Sequence, residues 1–260
     1  MLTEQQRRES SRLLLEAEAN RVQIPGPSRS WPEMTLDDSY AIAAIGIETK
    51  VSRGALFRGR KVGLTSRAMQ RSSRIDEPDF GVLLDNMFFE DGAVLSRADY
   101  TVPRVEAELA FIMGDRLAGP DVTLEDVLVA IDHIFPSIEL IDARAEDPRT
   151  IFDTVADNGA AAGVILGRER LEPEDLDLRW VGAILLCNGE VEETGLGAGV
   201  LGHPANAVVW LANKLAGFGL AIEPGEVVLT GSFVRPVWAE SGDVVVADFG
   251  DFGTINLEFV

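Results

Sequence analysis

Apolar and polar positions alternate along this chain in two rhythms. Residues 3–22 carry Leu13, Leu14, Leu15, Ala17 and Val22 among charges, the spacing of an amphipathic helix. The stretch Ile24-Pro25-Gly26-Pro27-Ser28 breaks it. Thr35 then caps a second helix carrying Tyr40-Ala41-Ile42-Ala43-Ala44 and ending near Gly54. These two helices predict an N-terminal helical arm over residues 1–55, packed on a body formed by residues 56–260.

Strands dominate the body. Arg58–Ser66 reads as a short strand running into a turn of small residues, and Ile75–Gly81 as a loop stiffened by Pro78 and Gly81. Leu83–Phe89 supplies core, and Pro103–Met113 is a strand. Thr123 caps a helix from about Leu124 to His133, and Ile134–Ile141 is an apolar run. The small residues of Phe152–Gly163 open a helix or a turn. Val181–Glu192 is a hairpin turning at Asn188-Gly189, and His203-Pro204 opens a helix running through Lys214. Val227–Phe233 follows the turn Pro224-Gly225, and Ser241-Gly242-Asp243 joins two final strands, Val244–Phe249 and Thr254–Val260. A helical arm, a strand-rich body and one or two inserted helices make an α+β chain with a β-rich core.

Composition then narrows the function. The formal charge of −20 argues against a nucleic-acid partner, which requires clustered lysine and arginine. No apolar run reaches the roughly 20 residues of a membrane helix. The charged N-terminus has no signal-peptide core, which predicts a cytoplasmic protein. Cys187 is the only cysteine, and His133 and His203 are the only histidines. Multi-cysteine metal sites, histidine-rich zinc sites and a Ser-His-Asp relay therefore do not fit. Neither a phosphate-binding loop nor a dinucleotide fingerprint occurs.

Candidate chemistry lies in carboxylates. Glu106 and Glu108 are two apart on one strand and so share a face, while Glu139 stands alone in an apolar run. Two readings are open on spacing alone. The three carboxylates form one site for a divalent cation, Mg²⁺ first and Mn²⁺ or Ca²⁺ next. Otherwise Glu106 and Glu108 line a solvated face and Glu139 pairs with an arginine, Arg144 being at hand. Lys61, beside Val62 and Leu64, is a candidate acid or base whose pKa desolvation would lower, or else a surface lysine of the RGRK cluster. Gly231-Ser232 can offer a backbone N–H and a hydroxyl to an anion. Asp157 and Asn158 are candidate supporting hydrogen-bonders, and His133 and His203 read as local structure.

The motifs KVGLTSRAMQ (61–70), EPDFG (77–81), PRVEAELAF (103–111), IELIDAR (138–144), DTVADN (153–158), LGHPANAVVWLANKL (201–215) and LTGSF (229–233) resemble the 2-keto-4-pentenoate hydratase family of the fumarylacetoacetate hydrolase superfamily. The likeness runs in order through nearly the whole chain. It implies a distorted β-roll core, a homo-oligomer, and Mg²⁺ or Mn²⁺ held by Glu106, Glu108 and Glu139. It implies catalytic roles for Lys61 and Asp79, and substrate contacts at Leu64, Thr65 and Ser232. The implied reaction is hydration of a small-molecule 2-oxo-4-enoate in meta-cleavage catabolism of aromatic compounds, with 2-oxo-hept-4-ene-1,7-dioate as the expected substrate. Pentadienoate hydration and oxalocrotonate decarboxylation are the alternatives. A diacid's distal carboxylate needs a cation, for which Arg67, Arg71, Arg74 or an arginine of a neighbouring subunit are candidates, unless the three form only a solvated face. One departure from the family pattern is the short connection Ala145–Thr150, which bears on that distal end.

Overall fold

The computed structural model describes residues 1–260 apart from Arg74, Asp76, Glu174 and Asp175 and the side chains of Ala68, Ser72 and Ser73. Its helices are α1 (Glu4–Asn20), α2 (Pro27–Ser30), α3 (Leu36–Ser52), α4 (Arg67–Ser73), α5 (Leu124–Ala130), α6 (Ile151–Ala156) and α7 (Ala205–Ala216). Thr3, Thr35, Thr123 and Thr150 each cap a helix through a reciprocal hydrogen-bonded box, which satisfies backbone donors that would otherwise be orphaned. The strands are β1 (Phe57–Gly63), β2 (Asp79–Leu84), β3 (Phe88–Glu90), β4 (Ala93–Leu95), β5 (Pro103–Met113), β6 (Ile131–Asp142) and β7 (Ala161–Leu166). They continue as β8 (Gly182–Cys187), β9 (Glu190–Leu196), β10 (Val227–Leu229), β11 (Val237–Trp238), β12 (Val244–Asp248) and β13 (Thr254–Phe259).

The strands build two curled sheets. One runs β2-β1-β10-β5-β6-β7-β3, with β11 pairing on β5, and the other runs β4-β13-β12-β8-β9. Alternate residues of β5 separate two environments. Val105, Ala107, Leu109, Phe111 and Met113 join a core shared with Val245 and Ala247 of β12, Ile255 and Leu257 of β13, and Val208 and Leu211 of α7. Arg104, Glu106 and Glu108 point to the opposite face, and this face carries the chemistry.

Several local expectations are corrected. A short helix, α2, forms within the Pro-rich break, with Pro27 at its start. The helix after Thr123 ends at Ala130, and His133 lies on β6, because β-branched Ile131 and Ile134 extend the following strand backwards. Asp79, Phe80 and Gly81 belong to β2 and not to a loop. The strand from Val227 ends at Leu229, leaving Thr230–Phe233 irregular. β12 and β13 are joined through Phe249–Gly253, whereas Ser241–Asp243 leads into β12. Among the described helices, none is long and apolar enough to cross a membrane.

Candidate active site

The long antiparallel pair β5/β6 sets the site. Its register puts Glu106 directly opposite Glu139, and Glu108 opposite Ser137. Opposed residues on paired strands face the same side, so three carboxylates meet where like charges disfavour pairing. Glu106, Glu108 and Glu139 each place a carboxylate oxygen within 4.8 Å of the others. Glu108 accepts the Gly231 N–H at 2.8 Å, so that donor goes to a protein carboxylate. Both oxygens of Glu139 are buried without a hydrogen-bond partner.

Lys61 and Asp79 reach the cluster from β1 and β2, which pair so that Gly63 lies opposite Asp79. Lys61 Nζ is 3.4 Å from Glu139 Oε1. Lysine therefore fills the role for which an arginine was an alternative. Arg144 instead pairs with buried Asp157 at 2.6 Å. A side chain at Gly63 would push its neighbours aside, since a Cβ would lie 2.2 Å from Asp79 Oδ1 and 3.1 Å from Lys61 Nζ. Asn158 holds β2 in place by exchanging two hydrogen bonds with the Val82 backbone, at 2.7 and 2.9 Å.

The electrostatics follow from burial. Burial and then Glu139 push the Glu106 carboxyl up to about 8, with Lys61 and Arg104 opposing. Burial and its carboxylate neighbours hold Glu108 well above the usual carboxylate range. Glu139 and Asp79 are raised chiefly by burial, against the pull of Lys61. The expected lowering of Lys61 is corrected. Burial does act downwards, but Glu139, Asp79, Glu106 and Glu108 together hold its ammonium above the ordinary lysine value.

A cavity of about 630 Å³ opens onto Lys61, Asp79, Glu106 and Glu108, with Glu139 buried behind them. Leu64, Thr65 and Ser232 also line it. Leu64 adopts φ +56°, a conformation rarely held by a leucine. Ser232 is corrected in one respect: its hydroxyl donates to the Val234 carbonyl at 2.7 Å and is occupied locally. Arg67 and Arg71 are solvent-exposed and absent from the lining, and Arg74 lies outside the described residues. The lining cations that sequence reasoning missed are Arg104, Arg149 and Arg235. Strand alternation could have found Arg104, two residues before Glu106 on the same face.

An all-oxygen donor set, with an orphaned buried carboxylate in its midst, fits a hard divalent cation. Fold and site together are those of an enzyme with a carboxylate-lined cleft on a curled β-sheet. The chain belongs to the fumarylacetoacetate hydrolase family, whose C-terminal family model matches residues 57–260. It is 49% identical to 2-oxo-hept-4-ene-1,7-dioate hydratase of Escherichia coli, over 94% of each chain. It is 38% identical to 2-keto-4-pentenoate hydratase of Paraburkholderia xenovorans, over 99% of this chain and 96% of that one. Its fold matches 4-oxalocrotonate decarboxylase of Pseudomonas putida G7, complexed with magnesium and adipate, with a TM-score of 0.98 at 34% identity, covering 100% of this chain and 99% of that one.

Proposed function

We propose that this protein is a hydratase that adds water to 2-oxo-hept-4-ene-1,7-dioate, giving 4-hydroxy-2-oxoheptanedioate in meta-cleavage catabolism such as homoprotocatechuate degradation. The observation that carries the reading is the meeting of Glu106, Glu108 and Glu139 with Lys61 and Asp79 at a cavity. Likeness to a hydratase of that substrate at 49% identity supports it.

In this reading Glu106, Glu108 and Glu139 hold Mg²⁺, with Mn²⁺ as a substitute, and the magnesium-complexed relative supports that choice. A divalent cation held there supplies Lewis-acid stabilisation for negative charge on the substrate's 1-carboxylate and 2-oxo oxygens. Lys61 and Asp79 share the proton transfers. The 2-oxo-4-enoate gives up a C3 proton and gains one on its 2-oxo oxygen, forming the dienol; as the dienol loses its 2-hydroxyl proton, C5 gains one, which brings the remaining double bond into conjugation with the ketone. Water then adds at C4, giving up a proton while C3 receives one. Leu64 and Thr65 line the cavity and contact the substrate in this reading.

The enzyme works in the cytoplasm as a homo-oligomer on a small-molecule 2-oxo acid. Exposed Trp180, Ile184 and Leu196, which line one apolar groove of the second sheet, support an oligomer. The test is loss of dienoate ultraviolet absorbance, run with and without chelator and alongside a CO₂ assay. Metal-dependent loss without CO₂ is expected. Stoichiometric CO₂ release would replace hydration with decarboxylation.

A further inference from the structure

Two arginines share the cavity with the carboxylate cluster, and neither has a firm partner. Arg104 stacks on the Trp238 ring, 4.8 Å from its centroid. Its Nε is buried without a hydrogen-bond partner. Arg149, with a side chain only 18% exposed, has Asp147 at 3.9 Å, the outer limit of an ion pair. Its Nη1 reaches the Ala145 carbonyl at a marginal 3.5 Å. Both guanidiniums line the same cavity. Arg235 differs: it is 80% exposed and pairs with Glu193 at 2.5 Å.

Position along the strand completes the picture. Arg104, Glu106 and Glu108 occupy one face of β5. Two residues of strand span about 6.8 Å, the length scale of a six- or seven-carbon chain. Ile141, Ile151 and Val234 line the cavity as well and offer apolar surface to such a chain.

We propose that Arg104 and Arg149 together receive a second carboxylate, so that the site selects dicarboxylic over monocarboxylic 2-oxo-4-enoates. The guanidinium fork matches a carboxylate in a bidentate way, and an incoming anion gives both cations a charge partner. This proposal rests on the hydratase reading of the site and identifies the residues that set its substrate class. It replaces Arg67 and Arg71 in that role, because both are exposed and lie outside the cavity lining.

The experiment compares kcat/KM for 2-hydroxyhepta-2,4-diene-1,7-dioate and 2-hydroxypenta-2,4-dienoate in the Mg²⁺-loaded wild type, Arg104→Gln and Arg149→Gln. The readout is the diacid-to-monoacid ratio, in which any effect on the neighbouring carboxylates cancels. Each substitution is expected to lower that ratio about 10–100-fold, the scale of hydrogen bonds to a charged group. A ratio within threefold of wild type in both variants overturns the proposal. If Arg104→Gln does not fold, Arg149→Gln, which changes a loop residue, carries the test alone. A parallel titration measures 2-oxoadipate against 2-oxopentanoate binding by calorimetry and needs no turnover. Should wild type hydrate neither dienoate, the hydratase reading fails, and this titration still decides the arginines. Tighter diacid binding that is lost in the variants supports them; equal binding of the two acids by wild type rejects them.

Discussion

Replacing Glu106 by glutamine should stabilise the metal-free protein while removing its response to Mg²⁺. Burial, and after it Glu139, push the Glu106 carboxyl up to about 8. A carboxyl raised on folding contributes stability that is fully present below its ordinary value near 4.5 and is lost as pH climbs towards 8. At pH 7 the folded chain forgoes about 2.5 pH steps of ionisation, worth about 3 kcal/mol at about 1.4 kcal/mol each. Glutamine removes that cost but leaves a buried amide to satisfy, which takes back about 1–2 kcal/mol. The net gain of about 1–2 kcal/mol corresponds to a Tm rise of roughly 2–8 °C for a chain of this size. Thermal melts in EDTA from pH 5 to 8 are the assay. Wild type should lose Tm across that window, and Glu106→Gln should lose less and melt higher at pH 7. In saturating Mg²⁺ the order should reverse, since a ligand at 100 times its Kd adds about 2.7 kcal/mol to the form that binds it. A variant that melts below wild type in EDTA at pH 7, or gains as much from Mg²⁺, would refute the reasoning.

Lys61→Met should lower kcat by about 10²–10⁴-fold with Mg²⁺ affinity retained, and near-normal turnover would reject an acid–base role. The same variant should melt lower in EDTA, because the ammonium 3.4 Å from Glu139 is gone. Gly63→Ala should fold yet lose on the order of 10²-fold in kcat/KM, since its Cβ would force aside Asp79 Oδ1 at 2.2 Å and displacements near 1 Å cost that much. Asp38 is buried and accepts from Leu2 N, Thr35 and Arg7. Burial acts to raise its pKa, but these bonds outweigh it and hold the carboxyl at about 2. A lowered carboxyl gives stability present above its unfolded value near 3.8 and lost as pH falls through 2. Asp38→Asn should therefore cost about 2 kcal/mol in urea melts at pH 7, and the gap to wild type should narrow at pH 2.5.

The carboxylates were legible in the sequence because strand alternation and a lone charge in an apolar run are local signals. Glu106 and Glu108 two apart, and Glu139 among Ile138, Leu140 and Ile141, needed no knowledge of pairing. Their convergence was not legible, since it depends on the register that sets Glu106 opposite Glu139. The basic lining failed for a related reason. Arg67 and Arg71 drew notice as a cluster, yet α4 turns them to solvent. Arg104 and Arg149 are 45 residues apart, one on β5 and one in the loop before α6, and only the fold joins them. Lys61 misled in sign because desolvation shows in its apolar neighbours, whereas the carboxylates around it arrive from β2, β5 and β6. The pattern around His133 suits either period, and the twelve-residue strand β6 prevails there through its ladder with β5.

The placement of Lys61 shows how the fold sustains an arrangement that opposes its own stability. Three glutamate carboxyls and Asp79 crowd one site, and a single ammonium cannot offset the ionisation of all four, so each is pushed upward. The structure resists collapse of this group by fixing the backbone on either side. Asn158, Gly159 and Ala160 all take positive φ, a sequence of conformations that costs energy for a residue such as alanine. Gly159 packs closely there, since a Cβ would sit 3.2 Å from Lys61 Cε. The buried Arg144–Asp157 pair anchors one end of that segment, and the Asn158–Val82 hydrogen bonds anchor it to β2. Those contacts satisfy several buried polar groups at once, and each would be costly to leave unmade. Strain around Lys61 and repulsion among the carboxylates are thus offset by hydrogen bonds placed just outside the cluster. Strengthening the cluster itself by removing a charge would relieve the fold and disable the site, so its stability has to come from its surroundings.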